Sequence, residues 1–151
     1  MKIAPVVETY DRIVREVKSD LVIVGAGEFV GGNKTPVVVK AIWDTGAYGS
    51  VISPKVASEL GLTPVGVKPI QTANGSYEAY AYVVDIMLPN KLVIRGVEVS
   101  ESDLKVCDAL IGMDVISLGD IKVTNKPTTK FIFRIPAEGD KSPFQRRKPR
   151  F

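Results

Sequence analysis

Short apolar runs rich in β-branched and aromatic residues recur along this chain and are cut by Gly, Pro and Asn. Leu21-Val22-Ile23-Val24, Val37-Val38-Val39, Tyr80-Ala81-Tyr82-Val83-Val84, Lys91-Leu92-Val93-Ile94 and Phe131-Ile132-Phe133 read as strands. Pro89-Asn90 and Gly31-Gly32-Asn33 mark turns. Asn74-Gly75, between Ile70-Gln71-Thr72 and Tyr77, predicts a hairpin, because a two-residue reversal needs positive φ and these residues supply it. One helix is well signalled: Ser53 suits its cap, Pro54 its first position and Gly61 its end, with Val56, Ala57 and Leu60 facing inward. A second helical turn is expected from Met113 to Ile116. Tyr10, Ile13, Val14 and Val17 have helical spacing, although Val14 and Val17 also suit a strand; helix is the preferred reading of that segment.

Composition narrows the chemistry. The 151 residues suit a single domain, and 45% of them are hydrophobic, enough for a real core. The net charge of +3 is concentrated at one end, in Lys141, Arg146, Arg147, Lys148 and Arg150. Without those five the remainder stands at −2, so the high pI describes a tail and not a basic surface. Histidine is absent, which removes Ser-His-Asp and Cys-His nucleophile pairs and the common His-bearing zinc sites. Cys107 is the only cysteine; no intramolecular disulfide can form, and with no His to activate it a core thiol is the expected role. Acid–base work near neutral pH falls to carboxylates, Lys, Tyr or Cys107. Glu8, Asp11 and Arg12 precede any long apolar run, and no stretch approaches the ~20 apolar residues needed to span a bilayer. The expectation is a soluble cytoplasmic protein with no membrane partner.

Candidate chemistry sits where an apolar run ends. Val37-Val38-Val39-Lys40-Ala41-Ile42-Trp43 delivers Asp44-Thr45-Gly46-Ala47 into a turn of small residues, followed by Gly49-Ser50-Val51-Ile52-Ser53. Gly46 allows backbone angles that a bulky residue cannot take, so a carboxylate can be fixed while its surroundings stay open to a substrate. A turn aspartate bonded to its own backbone is the bland alternative. A second element shifts the balance: Asp108-Ala109-Leu110-Ile111-Gly112-Met113-Asp114 runs an apolar stretch into Gly and then a short helix. The order is acidic turn, hairpin, apolar-apolar-Gly, helix.

This arrangement resembles the retropepsin-like aspartic proteases, the single-lobe family of retroviral proteases and their cellular relatives, from about Leu21 to Pro136. The resemblance implies a mainly β fold, a closed or partly open β-barrel with one or two short helices. It implies that Asp44 is catalytic, with Thr45, Gly46 and Ala47 supporting it. Thr45 would hydrogen-bond across a dyad and Gly46 would let the substrate backbone lie close. Leu110, Ile111 and Gly112 match the second motif, which braces the catalytic turn from beneath, and Ala73, Asn74 and Gly75 fall at the tip of the flap. Trp43 is bulkier than the usual residue before the triplet. Met113 stands where retroviral enzymes carry an Arg that ties the subunits together. Trp43 and Tyr77 are expected to pack, and Asp114 and Asp108 to cap or brace the short helix.

Aspartic proteases split peptides with two carboxylates that share a proton about 3 Å apart. This chain has one Asp-Thr-Gly and is too short for a two-lobed form, so the second carboxylate is expected from a second copy. The resemblance thus implies a homodimer acting on an extended peptide or protein, without metal or organic cofactor. The expected division is an N-terminal extension over 1–19, a protease domain over 20–136 and a basic tail over 137–151. A catalytically silent module that dimerises and binds peptides is the alternative. A nucleic-acid-associated protein, working only through the basic tail, is a third reading.

Overall fold

The computed structural model describes residues 3–29 and 35–136. Ten strands and two short helices follow one another: β1 (Val6–Thr9), β2 (Lys18–Gly25), β3 (Val37–Trp43), β4 (Val51–Ile52), α1 (Pro54–Glu59), β5 (Gly66–Thr72), β6 (Gly75–Met87), β7 (Val93–Glu101), β8 (Ala109–Ile111), α2 (Met113–Ile116), β9 (Asp120–Thr124) and β10 (Lys130–Arg134). The five apolar runs read as strands all fall in or beside one. Lys91 is the exception in detail: it takes a φ of 71° in the turn after Pro89-Asn90, and β7 begins two residues later. The Gly31-Gly32-Asn33 signal and the tail from Ala137 lie outside the described residues.

The larger sheet runs β2-β3-β8-β4-β7-β6-β5, and an added β2–β6 pairing brings it back on itself as a ring. Leu21, Ile23, Val39, Ala41, Ile52, Val84, Val99 and Ile111 fill that ring. Strand alternation explains the choice: in β3, Val39, Ala41 and Trp43 are buried while Val38 and Lys40 face water. A smaller antiparallel sheet, β1-β10-β9, packs against it through Phe131 and Phe133. Trp43 joins the two layers. Its ring lies 4.8 Å from Phe131 and 4.9 Å from Phe133, and its indole N–H donates to Ser19 Oγ at 2.8 Å. Trp43 thus has the packing role expected of it.

α1 follows its signals. Ser53 Oγ accepts from the Val56 N–H, Pro54 occupies the first turn, Val56, Ala57 and Leu60 are buried, and Gly61 ends the helix at a φ of 59°. Residues 10–17 do not form the helix that their spacing suggests; they are a bent connection. Their backbone is claimed from elsewhere: Tyr10 N–H and Arg12 C=O bond to the Thr129 backbone, and Val14 N–H donates to Thr129 Oγ1. Residues 6–9, within the stretch read as an N-terminal extension, pair with β10 (Val6 opposite Phe133).

The hairpin also differs by one residue from its signal. Thr72 pairs with Gly75, so the reversal consists of Ala73-Asn74, and the positive φ of 122° belongs to Gly75. Thr72 Oγ1 receives the Asn74 N–H and donates to the Gly75 carbonyl, which ties the tip. At the other end of β6, Asp85 interrupts the ladder with a bulge and is only 2% exposed. Its carboxylate accepts the Gly27 and Gly96 N–H groups, both at 2.8 Å, so the buried charge is satisfied by backbone.

Candidate active site

Asp44 follows directly on β3 and is half-buried. Three backbone bonds fix its turn: Asp44 N–H to Ile111 C=O at 2.9 Å, Ala47 N–H to Asp44 C=O at 3.2 Å, and Met113 N–H to Ala47 C=O at 2.9 Å. The turn is therefore held at both ends by the β8–α2 segment. Asp44 Oδ1 accepts the Gly46 N–H at 2.9 Å; its other oxygen has no hydrogen-bond partner among the described residues. Gly46 does not have a positive φ. A Cβ there would lie 3.2 Å from Asp44 Oδ1, so any side chain would press on the carboxylate.

The candidate second motif lies beneath this turn. β8 sits between β3 and β4, parallel to the first (Trp43 opposite Ile111) and antiparallel to the second (Val51 opposite Leu110). Ile111 is buried and Leu110 half-buried. Gly112 approaches the turn so closely that a Cβ would stand 2.6 Å from the Gly49 carbonyl carbon and oxygen.

A bond network completes the clamp, and it is the part that sequence reasoning missed. Ser50, 3% exposed, donates through Oγ to Asp114 Oδ1 at 2.7 Å and accepts the Gly112 N–H at 3.0 Å. Its own N–H donates to Asp114 Oδ2 at 2.9 Å. Asp114 also accepts the Val115 N–H, yet the cap position of α2 is Gly112. Asp114 therefore braces the Asp44 turn more than it caps a helix. The signal was present as an acid two residues past Gly112 and a small hydroxyl after Gly49, but nothing in their spacing pairs residues 64 apart.

In front of the turn lies a groove of about 610 Å³ between residues 46–51 and the β5–β6 hairpin. Tyr48, Val51, Ile70, Leu104 and Leu110 give it apolar walls, with Ser100 and Ser102 hydroxyls among them. Tyr48 is 98% exposed. Tyr77 OH and Ser102 Oγ, 3.1 Å apart, link the hairpin to the segment after β7. Of the hairpin tip, Thr72 reaches the groove, while Ala73, Asn74 and Gly75 do not line it. Cys107 is half-buried and burial pushes its thiol up, which disfavours the thiolate a nucleophile would need.

Among the described residues no group of His, Cys, Asp or Glu could hold a metal ion, and no helix is long and apolar enough to cross a membrane. Residues 32–118, more than half of the chain, match the model of the family described as "gag-polyprotein putative aspartyl protease". The chain belongs to this gag-type aspartyl protease family. As a retropepsin-like protein it is similar to the retropepsin-like aspartic protease from Rickettsia conorii, at 15% identity over 88% of this chain and 95% of that one, with a TM-score of 0.55. It is likewise similar to the EIAV protease complexed with the inhibitor HBY-793, at 19% identity over 73% of this chain and 92% of that one, with a TM-score of 0.51. At such low identity these two support the fold. No curated protein sequence matches. Mainly β with two short helices, the gag-type aspartyl protease chain has the architecture expected of it.

Proposed function

We propose that the protein is an aspartic endopeptidase that works as a homodimer, each copy supplying one Asp44. The observation that carries this reading is the setting of that carboxylate. It is half-buried and its backbone is clamped on both sides; one oxygen is held by Gly46, the other has no hydrogen-bond partner among the described residues, and the adjoining residues 46–51 line an apolar groove. Preorganisation of that kind is what an acid–base group needs. One carboxylate cannot both take a proton from water and give one to the amide carbonyl, so the second comes from a partner across a two-fold axis.

In the cycle we envisage, one Asp44 deprotonates a water and the other protonates the carbonyl oxygen as the tetrahedral intermediate forms. The amide C–N bond then breaks as the first Asp44 gives its proton to the leaving nitrogen and the second takes the proton of a hydroxyl of the intermediate, so the pair again shares one proton. Thr45 would stiffen the paired turns and the hairpin around Asn74 would cover an extended peptide. The catalytic unit of this reading spans 20–136, with β1 from residues 1–19 joined to it and a basic tail over 137–151. No metal or organic cofactor enters the chemistry.

The test compares the wild-type chain with Asp44→Asn on a denatured protein from mildly acidic to neutral pH. Cleavage by the first and none by the second is expected, with specific activity falling on dilution into the monomeric range. Equal cleavage by both, or a rate per chain indifferent to dilution, overturns the reading. A folded dimer that cleaves nothing would instead indicate a silent peptide-binding module.

A further inference from the structure

β6 pairs with β7 only from Ala81 onward, where Ala81 lies opposite Ser100. Residues 75–80 pair with β5 alone, so their other edge has no strand beside it among the described residues. The reason is that Ser100 and Glu101 are also paired to Val51 and Ile52 of β4, which leads β7 away. Where the two strands part, a cleft of about 820 Å³ opens between Tyr77, Glu78 and Tyr80 on one side and Glu101, Ser102 and Asp103 on the other.

Three properties of this cleft indicate what it would hold. The free edge offers backbone donors and acceptors of the kind that bind a peptide by strand addition. Its ionisable side chains other than tyrosine are all carboxylates, Glu78, Glu101 and Asp103, and no Lys or Arg lines it. Tyr82 OH donates to Glu101 and the exposed Lys105 pairs with Asp103, while Glu78 makes no ion pair among the described residues. Lastly, Tyr77 and Ser102, which bond to each other, border both this cleft and the groove lined by residues 46–51. The two recesses therefore adjoin at this bonded pair.

We propose that this cleft is a second peptide site, which takes an extended Lys- or Arg-bearing segment of the substrate as an added strand on residues 75–80 of β6. The inference rests on the protease reading for the identity of the occupant, and on the open edge and the carboxylates for its chemistry. Binding there would hold the hairpin in place while the neighbouring stretch of the same polypeptide lies in the groove.

The test uses the full chain carrying Asp44→Asn, so that binding is read without cleavage, and three labelled extended peptides of equal length: basic, uncharged and acidic. The basic peptide should bind at least about tenfold tighter than the acidic one and weaken as salt rises. N-methylation of alternate backbone nitrogens should lower its affinity about tenfold, since it removes strand hydrogen bonds. The pair Glu78→Lys and Asp103→Lys should abolish the preference; both residues are exposed, and an unchanged far-ultraviolet spectrum checks the fold. Equal binding of all three peptides, or a preference that survives the charge reversal, overturns the proposal. Tighter binding after deletion of 141–151 also overturns it, because the chain's own basic tail would then be the occupant. Failure of the protease reading registers separately, as an absence of cleavage by the wild type.

Discussion

Gly112 rests against the backbone of Gly49, with room for a hydrogen and none for a methyl group: a Cβ would come within 2.6 Å of the Gly49 carbonyl. Backbone contact this close ties the second motif to the Asp44 turn more rigidly than side-chain packing does. Gly112→Ala must push the turn away or distort β8. We expect a loss of about 1–3 kcal/mol, or roughly 2–4 °C in Tm for each kcal/mol in a chain of this size. Activity should fall by at least about tenfold, because misplacement of the reacting groups costs rate steeply. Thermal melting and peptide turnover check the two parts separately.

Ser50 and Asp114 act as one unit under the same turn. Ser50→Ala deletes the donor to Asp114 and leaves the buried Gly112 N–H without its acceptor. The expected cost is about 1–3 kcal/mol. Asp114→Ala removes the acceptor of two Ser50 groups and should cost a similar amount. In a double-mutant cycle the two losses should overlap by more than about 0.5 kcal/mol. Simple additivity in urea denaturation would show that the network contributes nothing as a network.

Trp43 tests the junction between the sheets. Trp43→Phe keeps a ring between Phe131 and Phe133 but gives up the indole bond to Ser19, for a cost near 1 kcal/mol. Trp43→Ala leaves a large void and should cost about 3–5 kcal/mol. As the only tryptophan, Trp43 also reports on folding: being 8% exposed, it should emit in the blue when native and shift red on unfolding.

Tyr82 predicts an alkaline limit to stability. Burial, reinforced by its bond to Glu101, raises its pKa above the ordinary tyrosine value. A raised folded pKa means that the unfolded chain gives up the proton first. The contribution is therefore intact below about pH 10 and is lost as pH rises through the folded value. Between pH 9 and pH 11, on the order of the tyrosine range, the urea midpoint of the wild type should decline more steeply than that of Tyr82→Phe. Parallel decline would remove Tyr82 as a cause.

The strands with dense β-branched runs and the Ser53–Gly61 helix were legible because their signals are local. Patterning within a few residues decides which way each side chain faces. What escaped was set by partners far along the chain. β1 exists because Val6 meets Phe133, and residues 10–17 stay bent because Thr129 takes their hydrogen bonds. Asn74-Gly75 signals the hairpin, but its tip lies one residue earlier, since Gly75 uses its positive φ to start the strand and not to complete the turn. Asp44 and Leu110-Ile111-Gly112 could be named from their order, whereas Ser50 and Asp114 meet only once the sheet has formed.

β6 is thirteen residues long, embedded in the core at its Met87 end and extended beyond it at its Gly75 end. It behaves as a cantilever. Its overhanging half has little packing of its own, and its stiffness is inherited from the embedded half and the Asp85 anchorage. A loosened interior would then show first as a wandering hairpin tip, well before the molecule melts.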